Sequence, residues 1–118
     1  MPAFLDPTRL AELRDEMGEE LLDMLVAMLT QEAATRPDLI RALVAAGDLD
    51  GARREAHALR GAAANVGATR LAVAAEMVEH APDGASLERH LASLADAADA
   101  LIHALRPSPG RARSMESR

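Results

Sequence analysis

Cysteine is missing from the chain altogether, which excludes disulfides, thiol catalysis and Cys-ligated zinc or iron–sulfur sites. Tryptophan and tyrosine are missing too, and Phe4 is the sole aromatic residue. A β-sheet core would draw on more aromatic and β-branched side chains. No run approaches the roughly 18 consecutive apolar residues that a membrane span needs. The opening MPAFLDPTR lacks the basic-then-apolar order of a signal peptide. Positive charge is the minority sign: the net charge is −6, which argues against a general nucleic-acid surface. There is no G-x-x-x-x-G-K-[ST] loop or kinase glycine loop to hold a nucleotide, and no G-x-S-x-G elbow. These absences predict a cytoplasmic domain that engages neither nucleic acid nor membrane.

What is present is alanine and leucine at helical spacing, in a chain of 118 residues that suffices for one compact domain. Asp6-Pro7 signals a helix start, and a short helix is expected from Pro7 to about Met17 with Leu10 and Leu13 inward. Gly18 marks a break. From Glu19 to Ala46 the pattern resumes, with Leu21, Leu25, Met28 and Leu29 as its stripe and Leu22 widening it. Leu39, Ile40, Leu43 and Val44 continue the pattern. Pro37 inside this stretch should kink it, with two abutting helices as the alternative. Gly47 ends it and Asp48 caps a helix reaching about Val66, closed by Gly67. A further helix runs from Ala68 to about His80, with Leu71, Ala74, Ala75 and Val78 inside. Pro82, Asp83 and Gly84 form a turn. The last helix, from about Ser86 to Leu105, carries the seam Leu87, Leu91, Leu94, Ala98, Leu101, Leu105.

Connections this short favour antiparallel neighbours. The expected fold is all-α: an antiparallel four-helix bundle with a short extra N-terminal helix laid across one end, and a disordered C-terminal tail. The bundle occupies residues 1–106 and the tail residues 107–118. A bundle that closes on itself points to a monomer.

Metal chemistry finds little support. None of His57, His80, His90 and His103 has a second histidine three or four residues away, and inward E-x-x-H pairs are missing. His80, His90 and His103 are most simply surface residues. Met17, Met24, Met28 and Met77 are most simply core filling.

The helix ARREAHALRGAAANVG, residues 52–67, is different. At about 100° per residue, Ala52, Ala56, Leu59, Ala63 and Val66 form one apolar stripe. Arg53, Arg54, His57, Arg60, Gly61 and Ala64 fall on the other side. By spacing alone a lone histidine on a polar face is a surface residue. Two features shift that reading. Arg53, Arg54 and Arg60 concentrate positive charge, opposed only by Glu55, in an acidic chain. Gly61 costs roughly 1 kcal/mol relative to alanine inside a helix, so a glycine there implies that something comes close. A neutral imidazole is a competent nucleophile near neutrality. A cation one turn away could stabilise a transferred dianionic group.

The run AHALRGAAANVGATRLAVAAEMVE resembles the signature of histidine-containing phosphotransfer (HPt) domains, whose pattern is H-x-x-K-G followed by small residues and a further glycine. The lead-in AAGDLDGARREAH is similar to the family's approach to its histidine, and the likeness extends over most of residues 15–105. The resemblance implies that residues 1–106 are a phosphorelay bundle in which His57 is the phosphoacceptor. His57 would take a phosphoryl group from an aspartate of one response-regulator receiver domain and pass it to another. Arg60 stands where the family usually has lysine and would steady the phosphoryl oxygens, with a different donor geometry. Gly61 matches the glycine that makes room for the receiver. Ala62 stands where serine is common, so that hydroxyl contact is absent. Arg53, Arg54 and Ala64 would contribute to partner binding, the arginines complementing an acidic receiver cleft. Apolar residues of the N-terminal helix and first long helix would complete the patch.

On this resemblance the domain binds no cofactor and no metal. The partner receiver supplies Mg²⁺ and the acidic pocket that sets the phosphoryl group in line. The partners implied are receiver domains and a hybrid sensor histidine kinase, and the chain is a phosphocarrier without kinase activity of its own. Two other readings keep the fold. One is a non-catalytic receiver- or kinase-binding module. The other is a chemotaxis-type phosphoacceptor domain labelled directly by a kinase.

Overall fold

The computed structural model describes residues 5–105. Four helices follow one another: α1 (Pro7–Ala45), α2 (Leu49–Asn65), α3 (Thr69–Glu79) and α4 (Gly84–Leu105). No strand occurs among the described residues. The expected tail, residues 107–118, lies outside them.

Local chemistry sets the helix ends. The Asp6 carboxylate accepts the Thr8 amide at 3.0 Å, and Pro7 occupies the first turn of α1. Asp48 does the same for α2, accepting the Gly51 amide at 2.9 Å. Gly47 and Gly67 adopt φ of 82° and 76°. The Asp48 amide then reaches the Leu43 carbonyl at 2.9 Å, and the Ala68 amide reaches the Ala63 carbonyl at 2.8 Å. Both are the glycine-terminated C-cap in which a left-handed residue turns the chain out of the helix. Helix α4 begins at Gly84 rather than near Ser86, because Asp83 accepts the Ser86 amide at 2.7 Å and draws the turn into the helix.

Gly18 divides α1. Its φ of 85° and ψ of 166° are non-helical, so Pro7–Met17 is a separate short segment. That segment is tied to the corner between α2 and α3. The Asp6 amide donates to the Gly67 carbonyl at 2.8 Å, and Arg9 Nε donates to the Asn65 carbonyl at 3.0 Å. Pro37 does not break the helix: Gly18 is where helical dihedral angles are lost. Pro37 is buried on the same face as Ala33 and Ile40, so the packing of that face against the bundle holds the proline in helical conformation.

Helix α1 packs against α2 and α4, and α3 packs against α2 and α4, closing a ring of four. The turns at 46–48, 66–68 and 80–83 are too short for anything but antiparallel neighbours. Leu13, Leu22, Leu29, Ile40, Leu59, Leu71, Val78, Leu87, Leu94 and Leu101 fill the centre. The stripe of α2 is buried throughout, and its alanines let neighbouring helices approach closely. Each leucine so placed contributes about 1.5–3 kcal/mol by leaving water.

The buried face of α1 departs from the expected stripe. Leu22 and Leu29 are buried, but Leu21 is 55% exposed and Met28 is 63% exposed, with Met24 and Leu39 also outward. Met24, Met28 and Met77 therefore do not fill the core, and only Met17 packs against it. The apolar residues of this helix form one broad stripe, and the packing of Ala33, Pro37 and Ile40 selects which edge of it turns inward. No helix among the described residues is long and apolar enough to cross a membrane.

Candidate functional site

The predicted polar face of α2 is a real surface. His57 keeps 63% of its side chain exposed on the side opposite the buried Ala56, Leu59 and Ala63. With Arg53, Arg54 and Glu79 it lines a shallow, open hollow.

Glu79 is the residue that reading the sequence missed. It stands on the last turn of α3, only 17% exposed, and its two oxygens divide between two side chains of α2. Oε2 lies 2.7 Å from His57 Nδ1, and Oε1 accepts from Arg60 Nη1 at 3.2 Å. A carboxylate only accepts, so the short contact puts a proton on Nδ1. Nε2 then carries the lone pair, and it has no hydrogen-bond partner among the described residues. Arg60 also lies 3.7 Å from Glu76, and His80 Nε2 lies 3.8 Å from Glu79 Oε1. No local pattern announces Glu79 as a neighbour of His57. The contact spans 22 positions and exists only because α3 packs back on α2.

The other predicted residues divide. Arg54 is exposed at the hollow's rim, with no ion pair among the described residues. Arg53 is partly committed, since its Nη2 donates to the Ala81 carbonyl at 2.9 Å and ties α2 to the α3–α4 turn. Gly61 is exposed, and a Cβ built on it would meet nothing within 4 Å. Nothing inside the fold therefore requires glycine there. Ala64 is exposed but borders a neighbouring depression with Asp6, Arg9, Arg60, Thr69, Val73 and Glu76, not the one at His57. Arg60 takes part in both, touching Glu79 on one side and lining Ala64's depression on the other. The chain contains no lysine at all, so arginine at this position follows a usage seen across the sequence. His90, expected at the surface, is partly buried.

On its other flank α2 borders α1 along a groove lined by Leu25, Met28, Leu29, Ala58 and Ala62, with Glu32 and Arg36 at one end. Arg36 pairs there with Glu32 and, at 2.7 Å, with Glu55. The exposed Leu21, Met24 and Met28 continue this apolar strip along α1.

The site is thus an outward imidazole on a four-helix bundle, with Nδ1 held by Glu79 and Nε2 without a partner among the described residues. In the comparison with known families, residues 7–106 match the family model of the Hpt domain. The chain belongs to the Hpt domain family. Hpt domains serve histidine phosphotransfer in phosphorelays, as phosphocarriers rather than kinases, and interact with receiver domains and kinases. Comparison with curated proteins and with solved structures gives no match. The Hpt match spans all four helices and both the His57 hollow and the groove beside α1.

Proposed function

We propose that this Hpt domain accepts a phosphoryl group on Nε2 of His57 from an aspartyl phosphate of one receiver domain and passes it to an aspartate of another. The observation that supports this reading is the exposed imidazole whose Nε2 has no hydrogen-bond partner among the described residues. A nucleophile for an acyl phosphate must present a free lone pair to a bulky visitor, and a histidine packed for structural reasons does not.

The surrounding residues have roles in keeping with that exchange. Arg60 retains guanidinium donors beyond the one on Glu79, and these can meet phosphoryl oxygens. Gly61 leaves bare backbone one turn from His57, where the visiting site can close in. Arg54, with Arg53 behind it, presents positive charge toward an acidic receiver cleft. Ala64 extends the low relief along the helix. The apolar strip of Leu21, Met24 and Met28, continuous with Ala58 and Ala62, is the docking patch on the α1 side. Mg²⁺ belongs to the receiver, which positions the phosphoryl group in line. The donor is the receiver of a hybrid sensor histidine kinase, and the exchange takes place in the cytoplasm between this monomer and one receiver at a time.

The test is to mix the protein with a phosphorylated receiver and Mg²⁺ and look for acid-labile, base-stable label. The parent is expected to take label and the His57→Gln variant to take none. Equal labelling of the variant would remove His57 from the role. Receiver binding without label in the parent would make the domain a binding module instead.

A further inference from the structure

The exposed strip of α1 is bordered by unbalanced charge. Between residues 12 and 23 the chain carries Glu12, Asp15, Glu16, Glu19, Glu20 and Asp23 against Arg14 alone. All of these are exposed. Glu12 pairs with Arg9 and Glu19 with Arg14, whereas the other four carboxylates have no ion pair among the described residues.

Helix geometry orders these groups around α1. Leu22, Leu29 and Ile40 turn inward, and Leu25 and Met28 border α2. At about 100° per residue, the outer surface from the α4 flank to the α2 flank then runs Asp23, Glu20, Met24, Met28, Leu21. An acidic edge therefore stands between α4 and the apolar strip.

The complementary charge follows α4. Residues 106–118, RPSPGRARSMESR, hold four arginines against one glutamate, in a chain whose net charge is −6. They continue from Leu105, the last residue of α4. The turns at 46–48, 66–68 and 80–83 alternate between the two ends of the bundle. Helix α4 thus finishes at the end where the Asp6 amide meets the Gly67 carbonyl and α1 begins, and it packs directly on α1. Crossing the outer face of one helix takes about 10–12 Å. The six residues 106–111 span up to about 20 Å when extended. Arg111 and Arg113 therefore come within reach of Asp23 and Glu20, and Met115 within reach of Met24 and Met28.

We propose that residues 106–118 dock on this face of their own chain, with Arg111 and Arg113 on the acidic edge and Met115 on the apolar strip. The segment covers the strip until a receiver displaces it. Exposed ion pairs are individually weak and screened by salt, so the cover is partial and reversible. A receiver binds only the uncovered fraction, and its apparent affinity falls by that fraction. This effect on transfer rests on the proposed function, but the contact itself does not.

The chain has no cysteine, so Ser114→Cys offers a single attachment point for a nitroxide. In the full chain at low salt, the nitroxide should broaden the methyl signals of Leu21, Met24 and Met28. It should spare Leu49, which is exposed at the opposite end of the bundle. Reversing charge with Arg111→Glu and Arg113→Glu together should abolish the broadening, and so should about 1 M salt. Broadening that is absent, uniform or indifferent to charge reversal would overturn the proposal. So would broadening seen only when the nitroxide is on one copy and the isotope on another, which would place the segment on a second copy. In labelling by a phosphorylated receiver, charge reversal should raise the initial uptake about two- to fivefold. Unchanged uptake would overturn the covering role. The broadening is read without any receiver, so failure of the phosphotransfer reading would appear as an unlabelled parent whose methyl signals still respond.

Discussion

The amide of Asp6 donates to the carbonyl of Gly67 at 2.8 Å, joining the first residues of α1 to the corner between α2 and α3. Through this bond the short segment before Gly18 is held against the end of the helix that carries His57. The corner is tightly occupied. A Cβ on Gly67 would lie 2.9 Å from the Asp6 Cβ and 3.0 Å from that of Arg9, in a backbone with φ of 76°.

Gly67→Ala combines a left-handed backbone with that close approach. It should destabilise the fold by about 1–3 kcal/mol, read as a lower midpoint in urea with an unchanged slope. A variant as stable as the parent would mean that the N-terminal segment is not seated at this corner.

Gly61→Ala should behave in the opposite way. Gly61 is within α2, its φ is not positive, and open space surrounds it. Alanine there should hold or raise stability by up to about 1 kcal/mol, its helix preference over glycine. Transfer from a phosphorylated receiver should nevertheless slow. Measuring both on one sample separates a glycine kept for folding from one kept for access, and unimpaired transfer would remove Gly61 from the interface.

Met28→Glu tests the apolar strip. Met28 is 63% exposed, so the change should leave stability within about 0.5 kcal/mol. It places a negative charge on the patch assigned to the receiver, and the affinity for that partner should fall by titration calorimetry. Leu22→Glu, at a buried position of the same helix, should instead fail by unfolding.

Asp83 gives the acid limb of stability a specific contributor. The Ser86 backbone amide, helped by the Ser86 side chain and the charge of Arg89, holds its carboxyl below the usual aspartate range against a smaller opposing effect of burial. A folded-state value below the unfolded one means that ionised Asp83 favours the fold above the ordinary aspartate range. That contribution disappears as pH falls through the depressed value. Asp83→Ala should therefore be less stable than the parent near neutrality, with the difference shrinking below about pH 4. A constant difference across an acid titration would assign the effect to helix preference rather than to the charge.

Much of this molecule was legible before any coordinates. Asp6-Pro7, Asp48, Gly47 and Gly67 act within a few residues of themselves, and each begins or ends a helix where its own backbone and side-chain chemistry requires. The α2 stripe was equally plain, because its other face carries three arginines and a histidine and only one side could turn inward. The exposure of His57 and the lack of any internal use for Gly61 follow from that one periodicity. Helix α1 was different. Leu21, Leu22, Leu25, Met28 and Leu29 spread over an arc of about 120° at 100° per residue, and periodicity does not choose which edge of so broad a stripe turns inward. Packing against α2 and α4 chose, burying Leu22 and Leu29 and leaving Leu21 and Met28 beside His57's helix. Pro37 was likewise decided by its buried neighbours, since a local rule about prolines does not register what packs against that face. Glu79 is the clearest case. Sequence determines that a histidine faces outward from a helix with cations one turn away. Which of its two nitrogens is left free is decided by a carboxylate on another helix, because a hydrogen bond depends on distance in space and not on separation along the chain.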